Sequence, residues 1–392
     1  MPTPLPSGSI TLSAQERVLF GKPADVAVTA EVERYGAQRV FVVSTNSLSK
    51  LADGPLQRIE HGLGAKHVGT FAAVRSHSPR EDVIAIANAA RASNADLLVA
   101  AGGGSVIDAT KAALLCLWEG LTSPAAMEPY RSGAAAGIAR KATPQPNAAR
   151  MISVSTTLSA SEFTAQAGVT DLSYGKQSFA HRLMVPSTAV LDPASTLDTP
   201  AWLLFCTAIR AVDHAVESFC SPLANPVTEV QSLEGLRLLY RSLRAIKADP
   251  ADLHARLEAQ FGMWQSIAAS VAGIPMGASH GIGYALGASF NVAHGHTSCV
   301  LLPAVLRWNS AVNRDRQRLL SIAMGAPDRP AADLIAELVS DLELPGSLRA
   351  VGIQETDLAK IAASAVNYGP VRANPRPVRS AEDVEEILRM AW

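Results

Sequence analysis

Side chains able to do chemistry crowd into two stretches of this 392-residue chain. The first is rich in histidine. Nine histidines are present, and five of them fall between His214 and His296. Arg210 and His214 are four residues apart, as are His280 and Tyr284; on a helix that spacing places each pair on one face, one turn apart. Imidazole moves protons near neutral pH and ligates transition metals. A phenol can donate a proton, and a guanidinium is a permanent cation that grips carboxylates through two parallel hydrogen bonds. Asp213 adjoins His214 but projects about 100° away around a helix, so it is expected to cap or pair elsewhere.

The second stretch, residues 97–111 (LLVAAGGGSVIDATK), reads as a buried strand, a glycine turn and a helix. Gly102, Gly103, Gly104 and Ser105 would bring backbone close to a ligand and aim N–H groups at it. The following helix N-terminus adds partial positive charge, a combination suited to pyrophosphate. Asp108 and Lys111 stand one turn apart just beyond and strengthen that reading. The spacing matches neither G-x-G-x-x-G nor the Walker pattern, so a purely structural tight turn is the competing reading.

The elements that must carry these residues follow from composition and periodicity. Hydrophobic residues make up 48% and charged residues 18%, which calls for a well-buried core and excludes a disordered chain. Lys+Arg 34 against Asp+Glu 35, with no run of like charges, argues against a nucleic-acid surface. At roughly 150 residues per domain the length suggests two or three domains. Residues 1–8 carry no charge ahead of an apolar stretch and do not read as a signal peptide. The longest apolar neighbourhood, 97–118, is interrupted by glycines, Asp108 and Lys111 and is not a membrane span. Cys116, Cys206, Cys220 and Cys299 lack C-x-x-C spacing and read as buried reduced thiols of a cytoplasmic protein.

Short apolar runs at 39–44, 97–101, 151–155 and 189–191 alternate with helical spacing, as in 78–93, where Ser78 and Pro79 suit an N-cap and a first helical position. That alternation implies a parallel sheet with helices on both faces. Residues 118–150, rich in Ala, Gly, Pro and Ser, read as a surface insertion. Beyond Asp192-Pro193, the segments 200–220, 227–246, 253–272 and 331–342 show helical spacing, and no strand is expected. The expected organisation is an α/β domain over 1–195 followed by an all-α domain over 196–392.

The pattern G-G-G-S-x-x-D-x-x-K at 102–111 resembles the cofactor signature of the iron-containing (group III) alcohol dehydrogenase superfamily, and the resemblance runs from about residue 20 to 392. It implies a dinucleotide-binding α/β domain and a helical domain, the dehydroquinate-synthase-like architecture, with metal and substrate in the cleft between them. Three segments resemble the maleylacetate reductase branch. TTLSASE at 156–162 is similar to its T-T-Y-A-G-S-E, one residue shorter than in ordinary alcohol dehydrogenases. SHSP at 76–79 is similar to its His-Thr-Pro turn, and NPRP at 374–377 matches its C-terminal motif. By this resemblance Gly102, Gly103, Gly104, Ser105 and Asp108 hold the cofactor, and Thr156 and Thr157 lie near its nicotinamide and phosphates. Thr45 stands near where NAD-selective members carry an Asp. No carboxylate then repels a 2′-phosphate, and both NADH and NADPH are expected to bind; otherwise Thr45 is a plain strand-end residue.

Residues 208–217 resemble the family segment G-x-D-A-x-x-H-A-x-E, with His214 at the ligand histidine and Arg210 where the ligand aspartate stands. Residues 279–287 resemble H-x-x-x-H-x-L-G, with His280 at a ligand position and Tyr284 replacing the second histidine. Residues 291–296 resemble N-x-P-H-G, with His294 as the last ligand. Three imidazoles with an open position make a zinc- or iron-type site feasible. Arg210, however, puts a permanent cation beside it, and the maleylacetate reductase branch likewise lacks the Asp. Metal-independent chemistry is expected, with His214, His280 and His294 as the ligands if a metal binds. The expected function is an NAD(P)H-dependent oxidoreductase acting on a carbonyl or hydroxyl group, of a keto or enol acid. Arg210 would anchor the substrate, and His214, His280 and Tyr284 would form the acid and proton relay. The alternatives are a metal-dependent alcohol dehydrogenase, a dehydroquinate-synthase-like lyase and a non-catalytic dinucleotide-binding scaffold. The expected partners are a small-molecule substrate and a second copy of the chain, with neither nucleic acid nor membrane.

Overall fold

The computed structural model describes residues 9–171, 175–290 and 292–392, with the backbone but not the side chain of His294. The reading of residues 1–8 lies outside them. Six short strands form one parallel sheet: β1 (Arg17–Phe20), β2 (Val40–Val43), β3 (His67–Phe71), β4 (Leu97–Gly102), β5 (Arg150–Ser155) and, after a hairpin of β6 (Gln166–Asp171) and β7 (Gly175–Ala180), β8 (Thr188–Leu191). Their order is β1-β8-β5-β4-β2-β3. Alternate residues of the central strands serve opposite faces. Val40, Val42, Val99 and Ala101 pack with helices α1 (Ala24–Tyr35) and α3 (Pro55–Leu63), beyond the short α2 (Asn46–Ser49). Phe41, Val43, Leu98 and Ala100 pack with α4 (Arg80–Ala92) and α5 (Gly104–Trp118).

The antiparallel hairpin lies against α5. Within residues 118–150, a 3₁₀ segment at Pro124–Tyr130 packs beside α4, and Arg131 bridges to Phe179 on the outer edge of the hairpin. Trp118 Nε1 donates to Ala149 O at 3.0 Å, closing the insertion at its base. Ser78 does not cap α4. Its backbone is left-handed at φ +51°, Pro79 precedes the first helical residue Arg80, and its Oγ donates instead to Ser105 O at 2.8 Å. The turn therefore braces α5 rather than starting α4.

Beyond Leu191 the described residues are helical. They form α6 (Ala201–Cys220), α7 (Pro226–Ala248), α8 (Leu253–Val271), α9 (Ala278–Phe290), α10 (His294–Ala323, broken at Asn313), α11 (Ala331–Asp341), α12 (Leu358–Ala365), α13 (Gly369–Arg372) and α14 (Ala381–Ala391). None of the described helices is long and apolar enough to cross a membrane. α6 is buried nearly all round from Leu204 to Cys220. Its core also takes in Leu158, Ala160, Phe163, Ala189 and Leu191 from the α/β half, so one hydrophobic cluster spans both halves.

Candidate active site

The glycine turn sits where β4 ends and α5 begins, at the carboxyl edge of the parallel strands, the usual ligand edge of an open α/β sheet. Gly103 precedes the helix and offers no side chain to cap it, which leaves first-turn N–H groups available to an anion. Bare backbone and uncapped N–H groups fit a dinucleotide pyrophosphate. The glycines also answer to packing. A Cβ on Gly103 would lie 2.8 Å from Thr157 Cγ2, and one on Gly104 would lie 3.0 Å from Ser159 Oγ. Thr156, whose N–H donates to Gly102 O at 3.2 Å, and Thr157 therefore lie directly on the turn.

Asp108 is turned to the protein, accepting from Ser161 Oγ at 2.5 Å and from Gly168 N–H at 2.9 Å. Lys111 is turned to the protein as well. It is fully buried and donates to Ser161 O (2.5 Å), Ser161 Oγ (3.1 Å), Thr164 Oγ1 (3.0 Å) and Gln166 O (2.9 Å). Burial lowers its pKa, against the pull of Asp108 and Glu162. The two residues bolt the loop after Thr157 to α5; an apolar helix face gave no sign that a lysine would point inward. Ser105 is braced by the N–H of His77, which donates to its Oγ at 3.1 Å. Thr45 caps α2, its Oγ1 accepting from Leu48 N–H at 3.3 Å and pairing with Ser47 Oγ at 2.9 Å.

Arg210, His214, His280 and Tyr284 are brought together by α6 and α9. Arg210 Nη1 donates to Ser298 Oγ at 3.1 Å and lies 4.0 Å from Asp213 Oδ2, and the guanidinium carbon sits 6.0 Å from the Tyr284 ring. The rings of His214 and His280 are 5.0 Å apart. His280 Nδ1 lies 2.7 Å from Glu217 Oε2 and 3.4 Å from Asp213 Oδ2. Two buried ring nitrogens, His280 Nε2 and His214 Nδ1, have no hydrogen-bond partner among the described residues. An unpartnered buried acceptor or donor is costly, so these atoms are suited to a ligand. Burial, with the charges of His280 and Arg210, holds His214 well below the usual imidazole range. Burial and Arg210 also push His280 down, but Asp213 and Glu217 more than offset them and its pKa is raised.

Asp213, expected to pair away from the histidines, instead lies among them: its Oδ2 accepts from Ser279 Oγ (2.8 Å) and Ser298 Oγ (2.6 Å) and stands 3.4 Å from His280 Nδ1. The side chain of His294 lies outside the described residues, but its neighbour Gly295 explains the local fold. A Cβ there would be 2.5 Å from Cys206 Sγ and 2.8 Å from the Cys206 backbone, so α10 starts in direct contact with α6. Sequence reading missed Lys176 on β7, which lies beside Asp108 across Gly168. It also missed that Glu217 is the partner of His280, because the two are 63 residues apart.

Existing hydrogen bonds and a nearby cation weigh against a divalent metal at the described part of this set. Donors of Asp213, Glu217 and His280 do lie within 4.8 Å of one another. The Oδ2 of Asp213, however, is taken by two serine hydroxyls, and Glu217 by backbone N–H groups and the His280 ring, while the Oδ1 of Asp213 has no partner among the described residues. Arg210, one turn before His214, disfavours protonation of both imidazoles and would oppose a cation in the same way.

The sequence profile described as Iron-containing alcohol dehydrogenase matches residues 15–193, and that of the Fe-containing alcohol dehydrogenase family, C-terminal, matches 205–392. The dehydrogenase FUM7 of Gibberella moniliformis is 32% identical over 95% of each chain. A maleylacetate reductase of Sphingobium indicum is 32% identical over 96% of this chain and 95% of its own. The crystal structure of maleylacetate reductase from Rhizobium sp. strain MTP-10005 superposes with a TM-score of 0.81 at 25% identity, covering 98% of both chains.

Proposed function

Because the chain belongs to the iron-containing alcohol dehydrogenase family and is an NAD(P)-dependent oxidoreductase, we propose that it reduces the carbonyl of a keto or enol acid. One observation carries this reading. A buried permanent cation, Arg210, adjoins two imidazoles that each leave one nitrogen without a protein partner.

When bound, the reduced nicotinamide supplies the hydride. Gly102, Gly103, Gly104 and Ser105 receive the pyrophosphate, Thr156 and Thr157 face the nicotinamide side, and Asp108 holds the loop around them. Thr45 presents no carboxylate to a 2′-phosphate, which supports use of both NADH and NADPH. Negative charge develops on the substrate oxygen as its carbonyl is reduced, and Arg210 is placed to stabilise that charge or to grip the substrate carboxylate. His280 delivers the proton. Its Nδ1 is committed to Glu217, its two carboxylate neighbours favour the charged ring, and its Nε2 is unpartnered. His214, held neutral, can accept a proton in turn, and Tyr284 completes the relay from its half-exposed place one turn along α9. No step needs a metal.

In the same reading the enzyme works in the cytoplasm as a homodimer with domains over 1–195 and 196–392, and its four free, buried cysteines suit a reducing compartment. The test is a substrate panel followed at the nicotinamide absorbance band, with NADH and NADPH, with and without chelator. Turnover of keto or enol acids that survives chelation is expected. Activity confined to simple alcohols and lost to chelator would replace this reading with the metal-dependent one.

A further inference from the structure

Helix α9 carries His280 and Tyr284, yet nothing local caps its start. Four N–H groups at a helix N-terminus have no partner within the helix. Here all four are met by two side chains from distant parts of the chain. Glu217 accepts from Gly277 N–H (2.8 Å), Ser279 N–H (2.7 Å) and His280 N–H (3.3 Å), and Asn374 Oδ1 accepts from Ala278 N–H (3.3 Å). Both residues are buried. The same Glu217 carboxylate also holds His280 Nδ1 at 2.7 Å, so one group fixes the helix end and the ring on it.

Asn374 is itself held from three directions. Its Nδ2 donates to Asn309 Oδ1 (2.7 Å) and to Arg376 O (2.8 Å), and its Oδ1 accepts from Asn309 Nδ2 (3.2 Å). Arg376 lies over the Trp308 ring at 3.8 Å and donates to Trp308 O at 3.0 Å, tying the segment to α10. A cavity lined by Glu217, Gly277, Asn309 and Asn374 adjoins these groups. Gly277 is where the two arms meet. A Cβ there would lie 2.8 Å from Glu217 Oε1 and 3.2 Å from Asn374 Oδ1.

We propose that Glu217 and Asn374 form a two-armed clamp on the N-terminus of α9 that positions His280 for proton delivery, with Asn374, which touches neither His280 nor Arg210, acting as a positioning residue. The catalytic half rests on the reductase reading above. Loosening the clamp lets the first turn of α9 fray and His280 swing, while the glycine turn, on the other half of the chain, is untouched.

Two variants test this in the full-length protein. Asn374→Ala removes one arm, and Gly277→Ala prises both apart without deleting a polar group, so a folding failure of one leaves the other to decide. Each is examined by amide hydrogen exchange over residues 277–281 and 102–108, by cofactor titration and by steady-state kinetics. Faster exchange confined to 277–281 is expected, with kcat down at least tenfold and the cofactor Kd within twofold of wild type. Unchanged exchange over 277–281 overturns the clamp. Faster exchange there with kcat within twofold of wild type overturns the positioning role. A kcat loss matched by an equal loss of cofactor affinity also overturns it, because a general structural defect would do that. Wild-type protein inactive on the whole substrate panel sinks the reductase reading and the catalytic half with it, while exchange still decides the clamp.

Discussion

Arg210 and Asp213 share one hydroxyl. Arg210 Nη1 donates to Ser298 Oγ at 3.1 Å, and that oxygen donates onward to Asp213 Oδ2 at 2.6 Å. The guanidinium is thus aimed by α10 and neutralised only in part, since its direct distance to Asp213 is 4.0 Å. A structural salt bridge to Glu217 is absent among the described residues; that carboxylate is spent on α9.

Arg210→Met is therefore expected to raise KM for acidic substrates by tenfold or more, one charge-assisted contact being worth ~1.5–3 kcal/mol. Cofactor affinity should not change. Steady-state kinetics with the best acid substrate checks this, and a near wild-type KM would remove Arg210 from substrate binding.

The glycine turn allows its two roles to be separated. Gly103→Ala meets Thr157 Cγ2 at 2.8 Å and should weaken cofactor binding at least ~10-fold, about 1.4 kcal/mol. Thr157→Ser deletes the clashing methyl. If the glycine serves only packing, the Gly103→Ala/Thr157→Ser double variant recovers the wild-type Kd. We expect it to stay weak, because the added methyl still occupies the ligand's approach. Fluorescence titration with NADH distinguishes the outcomes.

His280→Ala should lower kcat by ~10²–10⁴-fold, the usual worth of a positioned general acid, and Tyr284→Phe by less. The acid must be protonated to act, so wild-type kcat should fall as pH rises through the raised His280 pKa. Variants of both residues with wild-type rates across pH would dispose of the relay.

Glu162 gives stability a pH dependence of its own. Its carboxylate is fully buried, and burial pushes its pKa from 4.5 up to about 7, against smaller opposing effects from its own backbone N–H, Ser155 and Lys111. Between those values the folded protein holds a proton that the unfolded chain has lost, so stability falls as pH rises through that window, by ~3 kcal/mol at most. Glu162→Gln should flatten the slope of Tm between pH 5 and 8. Parallel slopes for the two proteins would count against this assignment.

The sequence was most legible where local rules suffice. An apolar run ending in three glycines gave β4 and the start of α5, and 3.6-residue spacing gave α6 and α7 nearly to the residue. The hairpin β6–β7 was not foreseen, because GKQSFA and QAGVTD are polar enough to read as loop and become strands only by pairing with each other across α5. Around the histidines, residue types and helical faces were readable. The partners that orient them were not. Glu217 reaches Gly277 across 60 residues and Asn374 reaches Ala278 across 96, and no local pattern encodes such a cap. Helix spacing likewise fixed the position of Lys111 but not whether its ammonium would be drawn inward by four waiting oxygens.

The hydrophobic cluster that joins Leu158, Phe163 and Leu191 to α6 has a thermodynamic consequence for the whole chain. Severing the polypeptide near residue 195 would expose apolar faces on both fragments, and neither holds enough surface of its own to replace what is lost. The halves are thus expected to melt together, as one calorimetric transition would show. A ligand gripping the glycine turn should then lend its binding free energy to the helices that carry His214 and His280 as well.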